Sequence, residues 1–161
     1  RNADRGRGEG ELQVRGPNVT PGYFENEAAT AAAFTGDGWL RTGDVARRDD
    51  DGYFFIVDRI KDMYISGGEN VYPAEVERVL SAHEAVLEAI VVGVEDETWG
   101  EVGHAFLLPR PGTSIEPDAM KAWCRERVAA YKVPKHVTIV EDFPRTAAGK
   151  VQKHVLRKER A

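Results

Sequence analysis

Four short runs of this sequence place charged side chains beside or near glycine, so that a charge and a close backbone approach could meet one ligand. In chain order they are residues 39–44 (WLRTGD), 58–62 (DRIKD), 66–70 (SGGEN) and 144–150 (PRTAAGK). Asp44 follows a Thr-Gly turn and could accept hydrogen bonds from two neighbouring hydroxyls of a sugar. Lys150 follows a glycine and could bring its ammonium to a phosphate or a carboxylate.

The residue types alone leave ordinary interpretations open for each run. An aspartate after glycine is usual turn chemistry, which would account for Asp44. Arg59 ends a predicted strand and could form a surface ion pair of little energetic weight. Gly67-Gly68 is typical of a turn, and Lys150 could simply open a basic helix. These runs therefore name candidates and do not decide between the alternatives.

Composition excludes several classes of function. The chain has 161 residues, 42% of them hydrophobic and 30% charged, as in an ordinary globular protein. The net charge of −5 argues against nucleic-acid binding. One cysteine and four scattered histidines give no disulfide and no metal-ligand spacing, so we predict no metal site. No apolar run is long enough for a membrane span, and a cytoplasmic location fits this pattern best.

The first part of the chain, residues 1–60, is predicted to be β-rich. A helix over 27–34 has Asn26 at its N-cap and an alanine-rich body. The aspartates of the run 49–52 are expected to form a hairpin turn rather than a calcium loop. Strands are predicted over 11–15, 39–41, 45–48 and 53–57.

The second part, residues 61–161, is predicted to be α+β. Helices begin at Pro73 and Pro117, and the stripe of the second helix makes Cys124 a core residue rather than a nucleophile. Trp99 is expected to be structural, in a loop that packs it under the sheet. Strands are predicted over 86–94, 102–108 and 137–140, and a closing helix over 150–158.

The order and spacing of the four runs resemble the C-terminal motifs of the adenylate-forming enzymes, especially the acyl-CoA synthetases. The resemblance extends from about Gly10 to Arg157. It implies that residues 1–60 end the N-terminal AMP-binding domain, as the last part of a small β-barrel subdomain. Residues 61–161 would be a mobile C-terminal lid with a central antiparallel sheet flanked by helices. Lys61 matches the hinge about which such a lid swings.

The same resemblance implies a nucleotide site. Asp44 would bind the ribose hydroxyls of ATP, and Arg59 would lie near the ribose and phosphates. Lys150 would be catalytic, joining the α-phosphate of ATP to the carboxylate of the acid and stabilising the transition state.

A coenzyme A site is implied as well. The loop Ser66, Gly67 and Gly68 would line the pantetheine tunnel in a second pose of the lid. Asn70 stands where some family members carry an arginine for a CoA phosphate. The CoA phosphates are therefore assigned to Lys132 and Lys135.

The phosphate loop, the adenine-contacting aromatic motif and the acid pocket of such enzymes are not in this sequence. The resemblance therefore implies the last third of an acid–CoA ligase, inactive alone, whose partners are ATP, CoA, a carboxylic acid and an N-terminal domain. Mg²⁺ is expected with ATP, held mainly by its phosphates. Two alternatives stay open: an adenylation domain that passes its acid to a carrier protein, and a non-catalytic lid that binds nucleotide or CoA.

Overall fold

A computed structural model describes residues 9–158 of the chain and divides it into two compact units. The first comprises residues 1–61 and the second residues 62–161. The division thus lies between Lys61 and Asp62, beside the position that the sequence identifies as a hinge. None of the helices in the described part of the chain is long and apolar enough to cross a membrane.

The first unit is built on a three-stranded antiparallel sheet of order β1-β2-β3. Its elements are β1 (Glu9–Val14), α1 (Glu27–Ala33), β2 (Leu40–Arg48) and β3 (Phe54–Arg59). The predicted cap of α1 is confirmed, because the Asn26 side chain accepts a hydrogen bond from the Ala29 amide at 2.9 Å. The predicted hairpin turn is also present: the Asp49 amide donates to the Tyr53 carbonyl at 3.0 Å, and Gly52 has a φ of +92°.

The prediction of separate strands over 39–41 and 45–48 is wrong, since both belong to the single strand β2. Glu11 lies opposite Val45 and Gln13 opposite Arg41, so two extra residues of β2 form a bulge. Gly43 has a φ of +72°, which makes this bend possible. The Thr42 hydroxyl closes the bulge by donating to the Leu12 carbonyl at 2.7 Å. The bulge places Asp44 beside β3 instead of at the tip of a turn.

The second unit is a sheet of order β5-β4-β7-β6 with helices against it. The predicted central antiparallel sheet is confirmed for these four strands, whereas β8 pairs with β7 in parallel. The elements are β4 (Tyr64–Ser66), β5 (Glu69–Val71), α2 (Pro73–Ser81), β6 (Val86–Asp96), β7 (Gly100–Pro109), α3 (Pro117–Arg125), the 3-10 turn Ala130–Lys132, β8 (His136–Ile139) and α4 (Lys153–Lys158).

Apolar residues on both faces of this sheet form the core. Along β6, Val91 belongs to the cluster under α2 and α3, while its neighbours Ile90 and Val92 belong to the cluster near α4. Side chains of successive strand residues point to opposite faces, which explains the division. Cys124 is fully buried in the first cluster, as predicted.

Tyr64 fixes β4 onto the sheet through two glycines. A Cβ at Gly93 would lie 2.4 Å from the Tyr64 Cβ, and one at Gly103 would lie 2.4 Å from its hydroxyl oxygen. The ring therefore lies where side chains of β6 and β7 would otherwise stand. This contact positions β4 and the glycine hairpin, the β4–β5 hairpin with Gly67 and Gly68 in its turn.

Candidate functional site

The sequence predicted that Lys150 starts the closing helix, and this prediction is wrong. Lys150 lies in a tight hairpin before that helix. Arg145 and Val151 pair across the base of the hairpin, and the Thr146 amide donates to the Lys150 carbonyl at 2.8 Å. Gly149 has a φ of +80°, and its amide donates to the Thr146 carbonyl at 2.8 Å. Because Gly149 has a left-handed backbone conformation, it does not belong to a right-handed helix, and α4 begins only at Lys153.

The ammonium of Lys150 is exposed, and no acidic side chain within residues 9–158 forms an ion pair with it. Its backbone, by contrast, is held: the amide donates to the Thr146 hydroxyl at 3.2 Å. Three residues on, Lys153 is paired with Glu77 at 2.9 Å. The hairpin therefore presents one uncommitted positive charge on a fixed backbone.

In the first unit, the structure brings Asp44 and Arg59 together. The two residues are directly opposite across β2 and β3, and Arg59 Nε lies 3.1 Å from Asp44 Oδ1. About half of the Arg59 side chain and a third of the Asp44 side chain are exposed. A carboxylate and a guanidinium side by side at the surface can accept from a diol and donate to a phosphate, respectively. Lys61 follows β3 and is exposed.

The glycine pair forms the turn of the β4–β5 hairpin. Ser66 lies opposite Glu69, and Gly67 and Gly68 between them have φ values of +60° and +87°. Two consecutive positive φ angles are the requirement of a type I′ turn. The Gly67 amide also donates to the Trp99 carbonyl at 2.9 Å, which ties this turn to the loop between β6 and β7.

The prediction that Trp99 packs under the sheet is wrong. Its side chain is 53% exposed and lies against Gly67, where a Cβ would come within 2.7 Å of the ring. Asp96 fixes the loop by accepting from the Thr98 and Trp99 amides at 3.0 and 3.1 Å. This turn holds the indole at the surface, so Trp99 is available to a ligand.

A groove of about 580 Å³ begins at this contact. It combines aromatic, aliphatic and basic side chains, a composition suited to a long ligand with both apolar and anionic parts. Its lining includes Ser66, Trp99, Lys121, Arg125, Tyr131 and Lys135. Sequence reasoning missed Trp99, Lys121 and Arg125; the spacing of the last two, four residues apart on a helix, was the available signal.

The two lysines assigned to CoA phosphates have different surroundings. Lys135 lines the groove and is half exposed, and its ammonium lies 2.5 Å from Asp96 Oδ2. That hydrogen bond, together with the backbone amides of Thr98 and Trp99, lowers the pKa of Asp96. Lys132 is mostly buried and pairs with Glu75 at 2.7 Å, and neither residue is among those that line the groove.

Comparison with known proteins finds relatives of this chain. Residues 75–150 match the AMP-binding enzyme C-terminal domain. The chain is 51% identical over 152 residues to a 3-[(3aS,4S,7aS)-7a-methyl-1,5-dioxo-octahydro-1H-inden-4-yl]propanoyl:CoA ligase of Rhodococcus jostii, covering 94% of this chain and 30% of that protein. It is 51% identical over 149 residues to a 2-succinylbenzoate–CoA ligase of Geobacillus kaustophilus, covering 92% and 30%.

A solved structure shows the same fold. The o-succinylbenzoate CoA synthetase of Bacillus subtilis, in complex with its acyl-adenylate intermediate, superposes with a TM-score of 0.87 at 43% identity. The alignment covers 94% of this chain and 31% of that one. The chain thus spans about a third of the length of the relatives it matches.

The domain match, the identity to CoA ligases and the shared fold agree with one another. The chain is therefore similar to the C-terminal portion of CoA ligases, and its residues 75–150 carry the AMP-binding enzyme C-terminal domain.

Proposed function

We propose that the full-length protein containing this chain is an acid–CoA ligase. It would convert a carboxylic acid, ATP and CoA into acyl-CoA, AMP and pyrophosphate through an acyl-adenylate. The observation that carries the proposal is the Lys150 hairpin, which offers an uncommitted ammonium on a fixed turn within a domain of this family. The similarity to CoA ligases supports CoA as the acceptor.

In the first half-reaction, Lys150 would contact the α-phosphate of ATP and the acid carboxylate together. The ammonium would reduce the repulsion between the two anions and stabilise the charge that develops as pyrophosphate leaves. One donor aimed at such charge typically contributes ~3–4 kcal/mol. Lys150 is suited to this role because no carboxylate of residues 9–158 has to be displaced first.

The nucleotide would also contact the first unit. Asp44 would accept hydrogen bonds from the ribose hydroxyls, and Arg59 would stay beside it, near the ribose and phosphates. Their 3.1 Å ion pair supports this arrangement, because the guanidinium holds the carboxylate in place.

In the second half-reaction, CoA would use the groove that starts at the glycine hairpin. The pantetheine would lie along Ser66, Gly67 and Gly68, with Gly67 held against Trp99. We assign the CoA phosphates mainly to Lys135, which lines the groove. Lys132 would assist only by leaving Glu75, so its share should be smaller.

The change between the half-reactions would occur at Lys61, the last residue of the first unit. A hinge of this kind needs a few element-terminal residues that can change φ and ψ. Replacing Lys61 with proline would fix its φ near −65° and should slow transfer to CoA while the adenylate still forms. Normal transfer to CoA by Lys61→Pro would refute the hinge.

Mg²⁺ would enter with ATP and be held mainly by the phosphates. Among residues 9–158 there is no group of three His, Cys, Asp or Glu side chains placed to hold a metal ion. A cytoplasmic location is part of the proposal.

The proposal is tested by pyrophosphate release from the full-length protein, with and without CoA, across short, long and aromatic acids. Release that turns over only with CoA is the expected result and would name the class of acid. A burst of release that CoA does not affect would favour transfer to a carrier protein. No release with any acid would favour a non-catalytic lid.

A further inference from the structure

Arg145 connects the tip of the Lys150 hairpin to the central sheet. Its Nη1 donates to the Gly149 carbonyl at 3.1 Å, and its Nη2 forms an ion pair with Glu88. The Gly149 carbonyl belongs to the peptide bond that begins Lys150. One guanidinium therefore holds both the backbone immediately before the lysine and a carboxylate that lies 57 residues earlier in the chain.

Glu88 is a firm anchor because of its place in the sheet. It lies on β6 opposite Leu108 of β7, within a ladder that runs from Val86–Pro109 to Asp96–Gly100. The next residue, Ala89, is buried in the core, as is Val86 two residues before Glu88. An arginine fork suits this link, since its rigid donors can serve two acceptors at once.

Apart from Arg145, few contacts link the tip of the hairpin to the rest of the unit. Phe143 is buried and Val151 packs against the second core cluster, so the base of the hairpin is anchored. Residues 146–150 are all exposed. Arg145 is the only side chain within the described residues that bonds both the backbone of the tip and a residue of the sheet.

We propose that Glu88 and Arg145 are a positioning pair that aims the Lys150 ammonium. This inference rests on the proposed function, because it assumes that Lys150 acts in adenylate formation. Neither residue would contact substrate. A displacement of about 1 Å at a reacting group can cost ~10²-fold in rate, so loss of the link should be visible in the adenylation step.

The test uses the full-length protein with Arg145→Met, which keeps the length of the side chain and removes its charge and donors. We expect kcat for adenylate formation to fall about 10- to 100-fold, with little change in KM for ATP. Thioester formation from supplied acyl-adenylate and the melting temperature should change little. Glu88→Gln should give a smaller loss, and Arg145→Lys a partial recovery, because lysine keeps the charge without the fork.

Arg127→Met is the matched control. Arg127 has the same side-chain exposure as Arg145, 37% against 36%, and also forms an ion pair, with Glu126 at 3.0 Å. It should leave both half-reactions unchanged. A second readout is Arg145→Met in a Lys150→Ala background, where the additional loss should vanish because no ammonium remains to be aimed.

Three outcomes would overturn the inference. Full adenylation by Arg145→Met, with Lys150→Ala impaired, would refute the positioning pair and leave the proposed function standing. Equal loss of both half-reactions, with a lower melting temperature, would show that the pair only stabilises the fold. Full adenylation by Lys150→Ala would refute the role of Lys150 and the positioning pair with it.

Discussion

The Lys150 hairpin and the groove at Trp99 lie in the same unit, but they differ in whether their lysine already has an acidic partner. In the hairpin, the backbone is hydrogen-bonded and the ammonium has no acidic partner among residues 9–158. In the groove, the Lys135 ammonium is already bonded to Asp96. The Lys150 ammonium can meet an anion at once, whereas an anion that approaches Lys135 must compete with the Asp96 carboxylate.

This difference fits the two kinds of work proposed for them. Stabilising a transition state requires a charge that is oriented in advance and not yet neutralised. Binding a long cofactor depends on many contacts, and an exposed ion pair that exchanges partners contributes little binding free energy. The groove should therefore recognise CoA more through shape and aromatic contact than through charge.

The largest effect should follow from removing the free charge of the hairpin. Lys150→Ala should reduce acid-dependent pyrophosphate exchange by ~10²–10³-fold, because a single donor to the developing charge is lost. Lys158→Ala is a suitable control, since Lys158 is another exposed lysine of the same unit. A comparable loss in both variants would mean that general positive charge, and not the hairpin, is responsible.

The glycine hairpin should show the next largest effect. Gly67→Ala would add a Cβ within 2.7 Å of the Trp99 ring at a φ of +60°, so the loop or the indole must move. We expect thioester formation from supplied acyl-adenylate to fall about tenfold or more, as misplacement near a reacting group does. Adenylate formation should be spared.

Gly68→Ala separates crowding from backbone strain. Gly68 has a φ of +87°, but a Cβ there would meet nothing within 4 Å. Gly68→Ala should lose less thioester-forming activity than Gly67→Ala, because only the left-handed conformation is penalised. Equal losses would show that the contact with Trp99 is unimportant.

Changes at Asp96 and Lys135 should move CoA recognition in opposite directions by small amounts. Asp96→Asn keeps an oxygen for the Thr98 and Trp99 amides but releases the Lys135 ammonium. It should lower KM for CoA by about two- to fivefold, and Lys135→Met should raise it similarly. Lys132→Met should change KM for CoA less than Lys135→Met does. A higher KM in Asp96→Asn would contradict competition for Lys135.

The smallest effect concerns the core and should not touch either half-reaction. Burial raises the pKa of the Cys124 thiol from 9.0 to about 11. The unfolded chain then loses this proton at a lower pH than the folded chain, so the contribution is complete below pH 9 and is lost as pH rises towards 11. Urea unfolding at pH 7, 9 and 10.5 should show that decline, and Cys124→Ala should reduce its slope. An identical slope in the variant would contradict the assignment.

The sequence predicts the elements best where the signal is local. The Asn26 cap and the prolines at 73 and 117 each start a helix where expected, since capping and the fixed φ of proline act within one turn. The strands β6 and β7 follow from their β-branched apolar runs. Cys124 follows from helical spacing.

Features that depend on distant partners could not be predicted. β2 continues through the Thr42-Gly43 bulge because β1 pairs with both of its halves. Trp99 is exposed because Asp96 and Gly67 hold its loop outward. The link from Arg145 to Glu88 joins residues 57 positions apart, which no local pattern reveals.

The most direct test of this account measures both half-reactions in the full-length Lys150→Ala and Gly67→Ala proteins. Adenylate formation is followed by pyrophosphate exchange, and thioester formation by transfer from supplied acyl-adenylate to CoA. The account predicts a crossed result, with Lys150→Ala impaired only in the first and Gly67→Ala only in the second. Parallel losses of both reactions in either variant would contradict the division of work between the hairpin and the groove.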